Sequence, residues 1–260
     1  MIFLYEHPLS PYAQKVKIAL REKAVAFEAS VPDGMGSGGA AGAFLAANPR
    51  AEVPTLIDGE TAVFDSTIIL EYIEDRWPDP ALLPAGAAAR AAARTLEEVM
   101  DTHFEAVNWG LGELNWFRRA EGELERTLRA AAARQTVGLL AWLEGRLGEA
   151  PWLNGKTFGW GDLAAAPFVG TAAGLGNAPA AGSKLAAWLA RVSARPSVAQ
   201  TFAEARAFDI AAFDVAGLVE RGLFKREYRD HRLEWMIRSG GMEVVVKGLA
   251  AGDIRFGPEF

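Results

Sequence analysis

The chain has 260 residues, half of them apolar and 23% charged, with a formal net charge of -6 and no cysteine. That is a globular composition, long enough for one large or two modest domains, and it excludes disulfides, thiolate metal sites and a cysteine nucleophile. With no long basic block and no apolar run of membrane-spanning length, the expectation is a cytoplasmic protein without nucleic-acid or membrane partners.

The first 76 residues mix strand and helix signals. Residues 2–5 are a short apolar strand, and Ser10-Pro11 then reads as a helix start, serine as cap and proline in the first turn. Ala13, Val16 and Leu20 share one helix face, carrying the helix to about residue 23. A second strand is predicted over 27–31, a glycine-rich loop over 33–43, then a short helix before Asn48-Pro49. Residues 55–57 and 61–64, joined by Asp58-Gly59, read as a hairpin. Ser66 is the expected cap of a helix ending near residue 76.

Three prolines in WPDPALLPAG mark a linker over 77–86. Helices are predicted near 87–119, 121–149, 162–173, 183–194 and 197–206, with no strand among them. An extension begins at about residue 208, and its charged run over 225–232 reads most simply as a solvated helix face, with Tyr228, Leu233, Trp235 and Met236 as packing residues. The three histidines, His7, His103 and His231, show no metal-ligand spacing, and no metal is expected.

Three features of the first part carry chemistry together. Ser10 puts a hydroxyl at a helix N-terminus, where partial positive charge and free N–H groups favour an anion. Val53-Pro54 precedes a strand; a cis bond there would turn the Val53 backbone outward to pair with an extended peptide. Asp65-Ser66 opens a helix with a carboxylate for an ammonium group, plus a hydroxyl and N–H groups for a carboxylate, which suits an amino-acid headgroup. Each alone has a plainer reading, as a helix cap or an ordinary turn proline.

In order and spacing, the segments SPYAQKVKIAL, NPRAEVPTL, FDSTIILEYIEDRWPD, WLNGKTFGWGDLAAAP and WLARVSARPSV resemble the glutathione transferase superfamily over residues 1–206. The resemblance implies an α/β thioredoxin-like N-terminal domain over 1–78 and an all-α helical domain over 87–260, as a homodimer. It further implies glutathione as co-substrate, bound by Val53, Pro54, Asp65 and Ser66, with Ser10 holding the sulfur as thiolate. A free thiol is mostly protonated at neutral pH, and the thiolate is the nucleophile, so a hydroxyl donor beside a helix N-terminus promotes its attack on an electrophile.

The resemblance places the pocket for that small hydrophobic electrophile at Tyr12, Met100, His103, Phe104 and Val107. Tyr5 and Tyr12 stand near enough to Ser10 to compete for the sulfur. Ala51 occupies a position where the family commonly has glycine, Gly159 one where a serine or threonine caps the helix bearing Asp162, and Glu52 adds a negative charge where the family is often neutral. The function expected is therefore a glutathione transferase. The alternatives are a non-catalytic ligand-binding or scaffold protein of that fold, or a specialised glutathione-dependent lyase, isomerase or dehalogenase. The extension is expected to pack as a solvated helix or to fold back over the pocket or the dimer interface.

Overall fold

Residues 1–36 and 41–256 are described by the computed structural model; of the predicted 33–43 loop, residues 37–40 lie outside them, as do 257–260 of the extension. Strand β1 (Ile2–Tyr5) buries Ile2 and Leu4 and leaves Phe3 and Tyr5 half-buried, the alternation of a strand with one face on the core. Ser10 then caps α1 (Pro11–Glu22), its Oγ accepting from the Ala13 N–H at 3.3 Å, with Pro11 supplying the fixed φ of the first turn. β2 (Phe27–Ser30) returns parallel to β1, so α1 is the crossover. After the short helix α2 (Gly42–Ala47), β3 (Thr55–Asp58) pairs antiparallel with β1, and β4 (Thr61–Phe64) folds back on β3, giving the sheet order β2-β1-β3-β4.

Helix α3 (Ser66–Arg76) closes the sheet-bearing domain. Its cap is Asp65 rather than Ser66: Asp65 Oδ1 accepts from the N–H groups of Thr67 (3.0 Å) and Ile68 (3.4 Å). The shift follows from the backbone, since Asp65 adopts φ 72° outside the helix while Ser66 is already in its first turn.

The single helix expected over 87–119 is α4 (Ala87–Val99), a π turn (Met100–Phe104) and α5 (Glu105–Asn115) in continuous succession. Four further helices follow: α6 (Gly122–Leu147), α7 (Trp160–Gly174), α8 (Lys184–Ser193) and α9 (Pro196–Ala207). α7 is apolar on every side and fully buried from Leu163 to Ala166, as a central helix must be, and it packs against α1, α4 and α8. The main core runs through both domains, from Leu4 and Val16 to Phe104, Phe168 and Trp188. No helix among the described residues is long and apolar enough to cross a membrane.

Two expectations need correction. The helical part is not purely α: β5 (Arg226–Glu227) and β6 (Ile254–Arg255) form a two-residue parallel ladder, too short for any periodicity to reveal. Nor is 225–232 a solvated face. Arg226, Tyr228 and Arg232 are buried, because carboxylates of α5 wait for the two arginines: Arg226 pairs with Glu113 at 2.7 Å and Arg232 with Glu105 at 2.5 Å. The extension also contains α10 (Val215–Glu220), α11 (Asp230–Arg238) and α12 (Met242–Ala251), and α11 lies along α5. There Trp235 sits so close over Gly110 that a Cβ on that glycine would come within 2.1 Å of the indole.

Candidate functional site

A cavity of about 320 Å³ opens where the sheet-bearing domain, the helical domain and the extension meet. Its first wall is the loop leading into β3. Asn48 shapes that loop, donating from Nδ2 to the Glu52 carbonyl (2.8 Å) and Thr55 Oγ1 (2.9 Å) and accepting from the Arg50 N–H at 3.0 Å. The chain then passes through Ala51 at φ 53°, left-handed backbone that glycine adopts more easily, and enters β3 through a cis Val53–Pro54 bond. Glu52, Val53 and Pro54 line the cavity.

The second wall is the N-terminus of α3, with Asp65, Ser66 and Thr67. Asp65 is an exposed non-glycine residue at positive φ, which places its carboxylate beside the first N–H groups of the helix. The third wall is Glu98, Asp101 and Thr102, at the end of α4 and in the π turn. Tyr12 closes the floor, and Arg229 and His231 reach in from the extension.

Behind the third wall, Lys15 is fully buried between Glu97 and Asp101, 2.5 Å from each. Glu97 also accepts from Trp160 Nε1 (2.6 Å) and Thr67 Oγ1 (3.0 Å). One ammonium thus serves two carboxylates. Burial, with Glu97 adding to it, lifts the Asp101 carboxyl to about 7 against the pull of Lys15, while Lys15 itself is held charged by both acids. On the opposite side, burial and a hydrogen bond with Glu227 raise Glu52 to about 7, against the pull of Arg229 and Arg50.

The structure brings Val53, Pro54, Asp65, Ser66 and Tyr12 to one cavity. Ser10 is half-buried at the mouth of α1 and is not among the lining residues; its Oγ accepts a hydrogen bond, so its proton is free to be donated. Tyr12 donates its hydroxyl to the Asp101 carbonyl at 2.7 Å and is therefore committed. Tyr5 packs its ring against Phe3 and Phe44, away from the cavity.

Met100, Phe104 and Val107 are fully buried in the core, and His103 is exposed; none lines the cavity. The π turn presents Asp101 and Thr102 in their place. Sequence reasoning missed Lys15, Thr67, Glu98, Asp101, Thr102, Arg229 and His231. No local pattern marks these residues, whose meeting depends on the packing of distant elements.

Residues 4–81 match the family model of a glutathione S-transferase N-terminal domain, and residues 115–191 that of the C-terminal domain. Glutathione S-transferase U28 of Arabidopsis thaliana is 32% identical over 202 residues, covering 75% of this chain and 85% of that one. A stringent starvation protein A homologue of Pasteurella multocida is 29% identical, covering 76% and 88%. Among solved structures, a glutathione S-transferase of Methylobacterium radiotolerans in complex with glutathione sulfonate is similar at TM-score 0.61 and 30% identity, covering 77% of this chain and 93% of that one. Both matching family models end before the extension begins.

Proposed function

The chain belongs to the glutathione S-transferase family, and from that membership we propose that it binds glutathione in this cavity and activates its sulfur for attack on a small hydrophobic electrophile. One observation carries the reading: the Val53 edge and the Asp65-Ser66 helix start share one cavity. The Asp65 carboxylate takes the γ-glutamyl ammonium, and Ser66, through its hydroxyl and its own N–H, takes the carboxylate. The cysteinyl backbone pairs with Val53 as a short added strand.

Ser10 donates its hydroxyl proton in a hydrogen bond to the sulfur, and the N-terminus of α1 adds its partial positive charge. The thiol proton leaves to solvent. The thiolate then forms a C–S bond with the electrophilic carbon, whose leaving group departs with the bonding electrons. The division that goes with this reading is a glutathione-binding domain over 1–78 and a helical domain over 87–260, in a cytoplasmic homodimer.

Calorimetric titration with glutathione, followed by turnover of a chromogenic electrophile, tests the proposal. Absence of binding ends it. A second reading, a non-catalytic carrier or a specialised glutathione-dependent enzyme, is favoured by the absence of Ser10 from the cavity lining. Binding without turnover of simple electrophiles would select it.

A further inference from the structure

Two features stand apart from the family pattern: the acidic Glu52 directly before the Val53–Pro54 edge, and the extension beyond residue 208. The structure joins them. Arg229, in the segment between β5 and α11, places Nη2 2.7 Å from Glu52 Oε2, with its guanidinium 5.2 Å from the centroid of the Tyr12 ring on the cavity floor.

We propose that Arg229 is a positioning residue: from the extension it fastens the 48–54 loop in the conformation that presents Val53 and offsets the charge of Glu52, so that affinity for glutathione depends on the extension. The choice of ligand rests on the functional reading above; the fastening does not.

Both ends of the link are anchored. On the extension side, α11 begins one residue after Arg229 and is fixed to α5, with Arg232 at 2.5 Å and His231 at 2.9 Å from Glu105. Arg232 also lies 3.8 Å from the centroid of the Trp109 ring on α5. On the loop side, Glu52 follows the left-handed Ala51, and Arg50 is its other cation at 2.9 Å. The loop is thus held by Asn48 from within and by Arg229 from across the cavity.

The charges point the same way. Glutathione carries two carboxylates and one ammonium before its thiol ionises, so a cavity meant for it cannot leave a bare carboxylate beside the peptide edge. Glu52 meets a second carboxyl, Glu227, and the pair is served by Arg229, which lies 2.7 Å from the first and 3.6 Å from the second. Arg255 at 2.8 Å supports Glu227. Without Arg229, Glu52 keeps only Arg50, itself shared with Asp65 at 4.0 Å.

The test uses the full chain carrying Arg229→Ala, Arg229→Lys or the charge swap Glu52→Arg/Arg229→Glu. Amide exchange at residues 50–53 should quicken by about tenfold in Arg229→Ala while the α7 core is unchanged. Glutathione should bind about tenfold more weakly, with kcat at saturating glutathione preserved. Arg229→Lys should recover part of both, and the swap should restore protection of 50–53. Should Arg229→Ala fail to fold, Glu52→Gln should quicken exchange at the same residues.

Unchanged exchange at 50–53 overturns the proposal, as does a uniform loss of protection throughout the chain or a fall in kcat at constant affinity. If the unaltered protein binds no glutathione, the transferase reading fails. Exchange at 50–53 then decides the fastening alone.

Discussion

Arg226 and Glu113 meet at 2.7 Å with both side chains fully excluded from water. Trp109 Nε1 donates to the other Glu113 oxygen at 3.0 Å, and Arg226 continues to Asp253, so the extension is bound to α5 by a buried, nearly complete ionic network. Such a pair is poor evidence of net stabilisation, but removing one member strands the other charge. Arg226→Ala should therefore cost about 3–5 kcal/mol in urea unfolding. The double replacement Arg226→Met/Glu113→Leu should recover most of that loss, because Asp253 keeps Arg119 at 2.8 Å. A single-variant loss below about 1 kcal/mol would mean that water reaches the site.

Ser10→Ala separates capping from catalysis. Losing the bond to the Ala13 N–H should cost about 1 kcal/mol of stability. Losing a hydroxyl that stabilises developing negative charge should reduce kcat about a hundredfold with little change in glutathione affinity. Tyr12→Phe should not mimic this, since the Tyr12 hydroxyl is bonded to the Asp101 carbonyl. Full activity in Ser10→Ala, measured by steady-state kinetics, would remove serine from the mechanism.

His7 governs part of the acid response. Burial beside Phe208 lowers its imidazole to about 4, and its Nδ1 accepts from the Leu9 N–H at 3.2 Å, which requires that nitrogen to be unprotonated. The unfolded chain takes up the proton at the ordinary value of about 6.5 and the folded one only near 4. The contribution of His7 to stability is therefore complete above 6.5 and is lost as pH falls from 6.5 to 4. His7→Gln should flatten the Tm-against-pH curve over that window. An NMR titration placing His7 near 6.5 in the folded protein would refute the assignment.

The legible parts of the fold were those set by neighbours in sequence. The Ser10-Pro11 start, the Asp58-Gly59 hairpin and the 3.6-residue spacing of Ala13, Val16 and Leu20 each follow from local backbone preference, and the elements stand where these signals put them. What stayed hidden was the burial of the lysines on α1 and at its C-cap. Lys15, Lys17 and Lys23 look like solvated residues, yet all three are buried against Glu97 and Asp101, Glu6 and Glu204, and Glu74 respectively. Helical period cannot separate residues that meet water from residues that meet carboxylates on neighbouring elements. The same blindness hid the Glu52–Arg229 contact: Glu52 stood out in the sequence by its charge, but Arg229 was one of a charged run read as solvated.

Gly159 is a case where sequence pattern and structure predict opposite signs. By pattern, a serine there would add the missing cap of α7 and stabilise by a few tenths of a kcal/mol over glycine. The structure leaves no room for it. A Cβ at Gly159 would lie 2.5 Å from the Leu82 carbonyl oxygen and 2.2 Å from Asn154 Nδ2. The amide can rotate, but the carbonyl is pinned, since it accepts from the Trp160 N–H at 2.8 Å. Asp162 meanwhile already satisfies this end of the helix, accepting from the N–H groups of Gly159 (3.1 Å), Leu153 (2.8 Å) and Asn154 (3.2 Å) and from Trp188 Nε1 (2.8 Å). Overpacking of this kind costs about 1–3 kcal/mol, which exceeds what the cap returns. Gly159→Ser should therefore lower Tm by several degrees in a thermal melt, and a rise in Tm would show that the Leu82 segment can move aside.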